Sequence, residues 1–148
     1  MNIYIRQLIL DDLYFGYLEC LKPLTKKDMF ITDQVEILKE RYDAGIFTYV
    51  AIDLDRNSST SIVGTASLVI VPRFVYYKDR YKAASIEDVS VLEEYQGRGV
   101  GQKLVGNLIE EAKMLRCYKV TLNCSEKNKE FYKKLGFSES ETQMRMDL

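Results

Sequence analysis

The sequence predicts an α/β fold of the α+β kind: a mixed, mostly antiparallel, twisted sheet flanked by helices, built by residues 1–148 as a single domain. Three observations carry that prediction. Residues 3–8 (Ile-Tyr-Ile-Arg-Gln-Leu) alternate as a strand does. Two β-branched runs, 47–53 and 62–74, flank the polar tract Asp55-Arg56-Asn57-Ser58-Ser59-Thr60, the pattern of an antiparallel hairpin. The second half then runs strand, glycine-bearing loop, amphipathic helix, strand, which is a crossover. With 148 residues, 47% of them apolar, the chain can bury one core without disulfides or metal.

The elements follow in order. Asp11 stands at the N-cap position of a helix over 12–21, and Pro23 is expected to end it. A second helix is expected to start after Thr32 or Asp33, with Val35, Ile37, Leu38 and Tyr42 on its apolar side and Gly45 as its C-terminal cap. After the hairpin, 76–84 reads as a polar, aromatic connection and 85–91 as the next strand. Leu104, Leu108, Ile109, Ala112 and Leu115 recur at helical spacing and define a helix over 99–115. A short strand is expected at 119–123, a short helix at 128–135 stopped by Gly136, and a returning strand near 143–147.

Composition excludes several function classes. Lys plus Arg number 21 against 22 Asp plus Glu, a balance unlike the basic face of a nucleic-acid binder. No apolar run is long enough to span a bilayer. The first residues already alternate as a strand rather than as a leader, and Cys20, Cys117 and Cys124 lack paired spacing, so reduced thiols and a cytoplasmic location are expected. The chain has no histidine. Ser-His and Cys-His nucleophiles and His-ligated metal sites are therefore excluded, and no metal is expected.

The segment Tyr95-Gln96-Gly97-Arg98-Gly99-Val100-Gly101 lies between a β-branched strand and an amphipathic helix. Glycines let backbone amides converge on one cavity, and the following helix adds unpaired amides and the positive end of its dipole. Together these suit a phosphate or pyrophosphate, with Arg98 as a charged donor. A nucleotide P-loop requires Gly-Lys-Ser/Thr at the helix entry, where this chain has Gly101-Gln102-Lys103. A dinucleotide loop follows the first strand of a parallel sheet, whereas this one comes after several antiparallel strands. Tight packing alone is the other reading of such a turn.

The form Gln/Arg-x-x-Gly-x-Gly, met by Gln96, Gly99 and Gly101, resembles the acyl-CoA pyrophosphate cradle of the GNAT superfamily of N-acetyltransferases. The likeness extends to Ser85-Ile86-Glu87-Asp88-Val89-Ser90-Val91, to Cys117-Tyr118-Lys119-Val120-Thr121-Leu122-Asn123-Cys124, and to 126–137. It also covers Ile5-Arg6-Gln7-Leu8, Leu21-Lys22-Pro23-Leu24-Thr25 and Gly64-Thr65-Ala66-Ser67-Leu68 in the first half. Over nearly its whole length the chain is similar to the eukaryotic glucosamine-6-phosphate N-acetyltransferase family.

That resemblance implies the GNAT fold, acetyl-CoA as co-substrate, a small amino-sugar phosphate as acceptor, and a homodimer with a shared active site. It implies that Gly97, Arg98, Gly99, Val100, Gly101 and Gln102 hold the cofactor phosphates. It implies that Val89, Ser90 and Val91 pair with the pantetheine arm, and that Asn128, Tyr132, Lys133 and Lys134 border the thiol. Thr25, Arg73, Glu87, Asp88, Tyr118 and Lys119 are the implied contacts of the sugar phosphate, with Glu87, Asp88, Asn123 and Tyr132 nearest the chemistry.

Two positions depart from the family. Asn123 stands where a carboxylate is usual, and Asp147 where a basic residue is usual, with Arg145 two positions earlier as its replacement. The connection over 76–84 is also longer, with Lys78, Arg80 and Lys82. Several of these residues have a plainer reading. Thr25 suits a turn, Arg73 an edge strand, Tyr118 and Tyr132 core packing, and Lys119 and Lys133 solvated charges. Adjacent strand residues point to opposite faces, so Glu87 and Asp88 can act together only if a bulge turns them to one side. Acetylation of a peptide, lysine or polyamine, or non-catalytic CoA binding, are the competing functions.

Overall fold

Period-two strands pair here in chain order, and the one crossover puts its helix against the sheet's centre. The computed structural model describes residues 1–25, 31–56 and 61–148, with side chains 31, 32, 75 and 76 left aside. The strands are β1 (Ile3–Gln7), β2 (Ile46–Asp53), β3 (Ile62–Tyr77), β4 (Arg80–Val91) and β5 (Cys117–Leu122). The helices are α1 (Tyr17–Thr25), α2 (Ile31–Asp43), α3 (Val100–Met114) and α4 (Lys129–Lys133). The sheet order is β1-β2-β3-β4-β5. Its first three pairings are antiparallel and β4–β5 is parallel, as the α3 crossover requires.

Each face of the sheet has its own core. Leu68, Ala84, Ile86 and Ala51 pack with Val100, Leu104, Val105 and Leu108 of α3 on one face. On the other, Val50, Ile52 and Ile62 pack with Leu13, Tyr17 and Cys20. Burial of a side chain such as Leu104 or Leu108 stabilises the fold by about 1.5–3 kcal/mol. Gly64 is the point of closest approach: a Cβ there would lie 3.1 Å from Leu104 Cδ1 and 3.1 Å from the Ser90 carbonyl oxygen.

Several boundaries differ from expectation for identifiable reasons. Asp11 is exposed and caps nothing; the buried Asp12 instead accepts from Arg6 Nη1 and Nη2 at 2.7 Å each and from the Ile9 amide at 2.9 Å. Those bonds hold a 3-10 turn at Leu10–Leu13, and the α-helix begins only after Gly16, at φ 102°. Pro23 lies inside α1 rather than ending it. α2 starts at Ile31, and Gly45 does take the left-handed conformation of a C-terminal cap, at φ 73°. Of its expected apolar face, Ile37 and Tyr42 are exposed.

The connection expected over 76–84 is a strand-turn-strand. β3 runs to Tyr77, β4 starts at Arg80, and Lys78 and Asp79 have φ 49° and 59°, the two-residue primed turn that matches strand twist. The strand expected near 143–147 does not form: 137–148 carries no regular structure. A returning strand needs an edge to pair with, and β5 is not paired by this chain's own tail. The 57–60 part of the expected hairpin loop lies outside the described residues. No helix among the described residues is long and apolar enough to cross a membrane.

Candidate active site

The bulge that Glu87 and Asp88 require is present. β3 and β4 pair Ser67 with Glu87 but Thr65 with Ser90, so β4 carries one extra residue opposite Ala66. Asp88 takes up that residue at φ 52°, a left-handed conformation tolerated by aspartate better than by most side chains. The consequence is visible on both sides of the bulge. Ala84 and Ile86 face the α3 core before it, and Val89 and Val91 pack there after it. Glu87 lies opposite Ser67, away from that core, and accepts from the Ser85 hydroxyl at 2.5 Å. Asp88 is turned to the same side, where Arg41 Nη2 donates to its Oδ2 at 3.0 Å and to Ser67 Oγ at 2.7 Å.

Beyond the bulge, β4 loses one neighbour. Its pairing with β5 ends at Ile86 and Leu122, whereas its pairing with β3 continues to Gly64 and Val91. Residues 87–91 therefore present one free backbone edge, which an extended ligand can pair with as an added strand. Ser90 has only its backbone to offer such a ligand, because its hydroxyl donates to the Cys20 carbonyl at 2.5 Å.

The strand leads straight into the glycine loop. Gln96 Nε2 donates to the Val91 carbonyl at 3.1 Å and ties the loop back to the strand. Gly97 has φ 72° and Gly99 φ 82°, and Gly99 is the N-terminal boundary of the 15-residue α3. The first amides of α3 have no carbonyl one turn earlier to bond, so they and the helix dipole favour an anion at this end. Space is not what selects glycine at Gly97, where a Cβ would meet nothing within 4 Å; conformation is. The Arg98 guanidinium stacks 5.6 Å from the centre of the Tyr95 ring, beside the loop. At Gly101 a Cβ would lie 3.3 Å from the Phe131 ring, so α4 abuts the loop. The donors and the free edge fit a pyrophosphate with an extended arm.

A third group lines an open groove of about 860 Å³ beside β5: Arg73, Lys119, Asn123, Tyr132 and Lys133, together with Cys124. Tyr132 is buried to 9% exposure between Phe131 and Phe137, at ring distances of 4.9 and 6.0 Å. Burial, with Cys124 adding to it, pushes its hydroxyl above the ordinary tyrosine range.

The comparisons with known proteins agree with this geometry. The family model described as "Acetyltransferase (GNAT) family" matches residues 4–137. A glucosamine 6-phosphate N-acetyltransferase of Trypanosoma brucei brucei is 40% identical over 134 residues, 90% of this chain and 88% of the relative. The chain belongs to the glucosamine 6-phosphate N-acetyltransferase family of GNAT proteins. A solved acetyltransferase structure from Trypanosoma brucei superposes with TM-score 0.88 at 39% identity, covering 99% of this chain and 100% of that one. The crystal structure of glucosamine-6-phosphate N-acetyltransferase from Arabidopsis thaliana superposes with TM-score 0.87 at 31% identity, covering 99% of each.

Against the GNAT assignment, the remaining residues fall into place unevenly. Thr25 ends α1 and is exposed. Arg73 lies in the stretch of β3 where pairing with β4 shifts between Pro72 and Tyr77. The Tyr118 ring is 6.1 Å from the Tyr77 ring, and Lys119 Nζ sits 5.7 Å from the centre of the Tyr118 ring. Asn128 closes the 3-10 turn before α4, Lys134 follows α4, and both are exposed. Lys133 is held by Glu130 at 3.0 Å and Glu139 at 3.4 Å. Arg145 lies in the exposed tail with its guanidinium on Asp147, at 2.6 Å from Nε. Glu87 and Asp88 do not line the β5 groove. Most candidate residues thus fall into three groups (bulge, loop with free edge, and groove), and Thr25, Tyr118, Asn128, Lys134 and Arg145 fall into none of them.

Arg41 is the residue that sequence reasoning missed. Gln34, Leu38 and Arg41 lie on one stripe of α2, and a charge on a half-apolar stripe is the signal that could have found it.

If Tyr132 donates a hydrogen bond to the departing thiolate, Tyr132→Phe should lower kcat about 10-fold with little change in the KM for acetyl-CoA, since the ring is kept. The donor is the neutral phenol, and its raised pKa extends the protonated range above the ordinary 10.0. Any alkaline loss of wild-type turnover from this group should therefore fall at higher pH than an unperturbed tyrosine would give. Unchanged turnover of the phenylalanine variant would remove Tyr132 from the thiolate's environment.

Proposed function

We propose that this protein transfers the acetyl group of acetyl-CoA to the amine of D-glucosamine 6-phosphate, giving N-acetylglucosamine 6-phosphate for UDP-N-acetylglucosamine synthesis. The observation that carries the reading is the β4 bulge, which turns Glu87 and Asp88 to one side where the β4–β5 pairing stops. The named relatives supply the acceptor's identity. In this reading the glycine loop and the first turn of α3 hold the cofactor pyrophosphate, and residues 89–91 pair with the pantetheine arm.

The chemistry is direct attack in a ternary complex. A glucosamine amine is less basic than a lysine, because neighbouring oxygens withdraw electrons, so a share of it is neutral near pH 7. The neutral amine attacks the thioester carbonyl, the C–S bond breaks, and the thiolate leaves with Tyr132 as hydrogen-bond donor. The amine proton passes to a carboxylate of the bulge or to water. With no histidine in the chain, the rate gain rests on positioning and on polarisation of the carbonyl by a backbone amide. Asn123 orients the amine through its side-chain amide and does not serve as the base.

Arg73, which lines the same groove as Lys119, is the proposed phosphate anchor. Binding energy gained there, remote from the amine, orients the reacting end. Initial rates with acetyl-CoA and glucosamine 6-phosphate, glucosamine or a mixed peptide test the reading directly, the phosphorylated sugar being strongly preferred. Arg73→Ala should raise the KM for glucosamine 6-phosphate about 10- to 100-fold and leave the value for glucosamine unchanged. Equal effects on both sugars would displace Arg73 from the phosphate.

The protein acts in the cytoplasm as a homodimer with a shared active site. Support comes from the β5 edge, which the tail leaves unpaired, and from Met144, Met146 and Leu148, which are 89%, 81% and 113% exposed. Light scattering should give twice the chain mass. A fully active monomer would overturn the shared site.

A further inference from the structure

We infer that Arg41 is a positioning residue that sets the orientation of the Asp88 carboxylate toward the acceptor amine; this deepens, and rests on, the amino-sugar reading above. Arg41 reaches the sheet from the last turn of α2 and is only 25% exposed. Among the described residues one nitrogen carries its hydrogen bonds: Nη2 lies 2.7 Å from Ser67 Oγ, 3.0 Å from Asp88 Oδ2 and 3.5 Å from Thr48 Oγ1. Thr48 and Ser67 are buried and already bond each other at 3.2 Å, so their hydroxyls do not depend on the guanidinium. Nε is buried with no acceptor among the described residues. A desolvated donor left unpaired is costly, so the folded chain holds Arg41 in place against that cost.

What the arrangement accomplishes is at Asp88. The bulge fixes its backbone at φ 52°, and Arg41 fixes its side chain by engaging Oδ2. The second oxygen, Oδ1, is then the one left to accept from the amine or a neighbouring hydroxyl of the sugar. Without Arg41, a carboxylate that is 44% exposed is free to rotate among its rotamers, and the fraction in the productive one falls. Arg41 itself contacts neither substrate. Its effect passes through Asp88, so it should vanish when Asp88 can no longer act as a carboxylate.

The test is a double-mutant cycle read by initial-rate kinetics and thermal melting, on wild type, Arg41→Met, Asp88→Asn and the double variant, with Arg41→Lys as the conservative change. Arg41→Met should lower kcat/KM for glucosamine 6-phosphate about 10- to 100-fold, the range of one charge-assisted hydrogen bond. The KM for acetyl-CoA should stay within about twofold, since the cofactor site is untouched. Arg41→Lys, which retains the charge, should recover part of the loss. In the Asp88→Asn background Arg41→Met should add less than about threefold.

Losses that multiply in the double variant would overturn the inference, as would equal damage to both substrates. If Arg41→Met melts far below wild type, Arg41→Lys against Asp88→Asn gives the same cycle in folded protein. A wild-type chain that does not acetylate glucosamine 6-phosphate would sink the functional reading and this inference with it. Activity with multiplying losses would sink this inference alone.

Discussion

Replacing Asp88 by glycine is expected to lower kcat/KM for the amino sugar by about 100-fold or more while the melting temperature stays within a few degrees of wild type. The bulge holds Asp88 at φ 52°, where an L side chain is disfavoured by about 1 kcal/mol and glycine is not. Against that gain stand the greater freedom of glycine in the unfolded chain, about 0.5–1 kcal/mol, and the loss of a partly exposed ion pair with Arg41, at most about 1 kcal/mol. These nearly cancel. The carboxylate, by contrast, is lost from the bulge, where Glu87 alone remains beside that position. Asp88→Val has the opposite signature in stability, because a β-branched residue at positive φ costs about 1–3 kcal/mol. Circular-dichroism melting beside steady-state kinetics separates the two. Full activity in the glycine variant would mean that the bulge serves packing and not the acceptor.

The second large effect is expected at the helix entry. Gly99→Val should weaken CoA binding by about 100-fold or more, measured by titration calorimetry. A Cβ at Gly99 would meet only Gln102 Oε1, at 3.6 Å, so the variant is not excluded for lack of space. The cost lies in the backbone: φ 82° and ψ 1° at Gly99 are what turn the chain into α3 with its first amides converging. Valine draws the loop toward another conformation, and each charge-assisted hydrogen bond lost to the phosphates is worth about 1.5–3 kcal/mol. Gly106→Ala is the control within α3, where an added Cβ meets nothing within 4 Å, and CoA affinity should not change. Undiminished affinity in Gly99→Val would place the phosphates elsewhere.

The sheet was readable because each strand carries its own pattern, β-branched and alternating, and α3 because its apolar residues recur at helical spacing. The bulge was readable in principle. The core-facing positions are even at Ala84 and Ile86 and odd at Val89 and Val91, a switch of parity that one inserted residue must produce.

Other features depended on contacts distant in sequence. Asp12 replaced Asp11 because Arg6 on β1 was there to pair with it. The Lys78–Asp79 turn lacks the Asn-Gly signature of its class, so its strands read as a connection. Pro23 has the look of a helix stop, yet α1 passes through it to Thr25. The tail alternates as a strand, yet it leaves the free edge of β5 unpaired. Of the candidate site, the glycine loop was visible in local pattern, whereas Glu87 and Asp88 stood out only through the family resemblance, since alternation alone puts adjacent strand residues on opposite faces. Arg41 was not, since only the packing of α2 on the sheet brings it to Asp88.

The most direct test of the account is a crystal structure of the protein with CoA and glucosamine 6-phosphate bound. The pyrophosphate should lie on the amides of Gly97 to Gln102 with the pantetheine arm paired to residues 89–91. The sugar amine should sit beside the Glu87–Asp88 bulge, with the phosphate toward Arg73. A sugar bound away from the bulge, or a pantetheine arm that does not enter between β4 and β5, would contradict it.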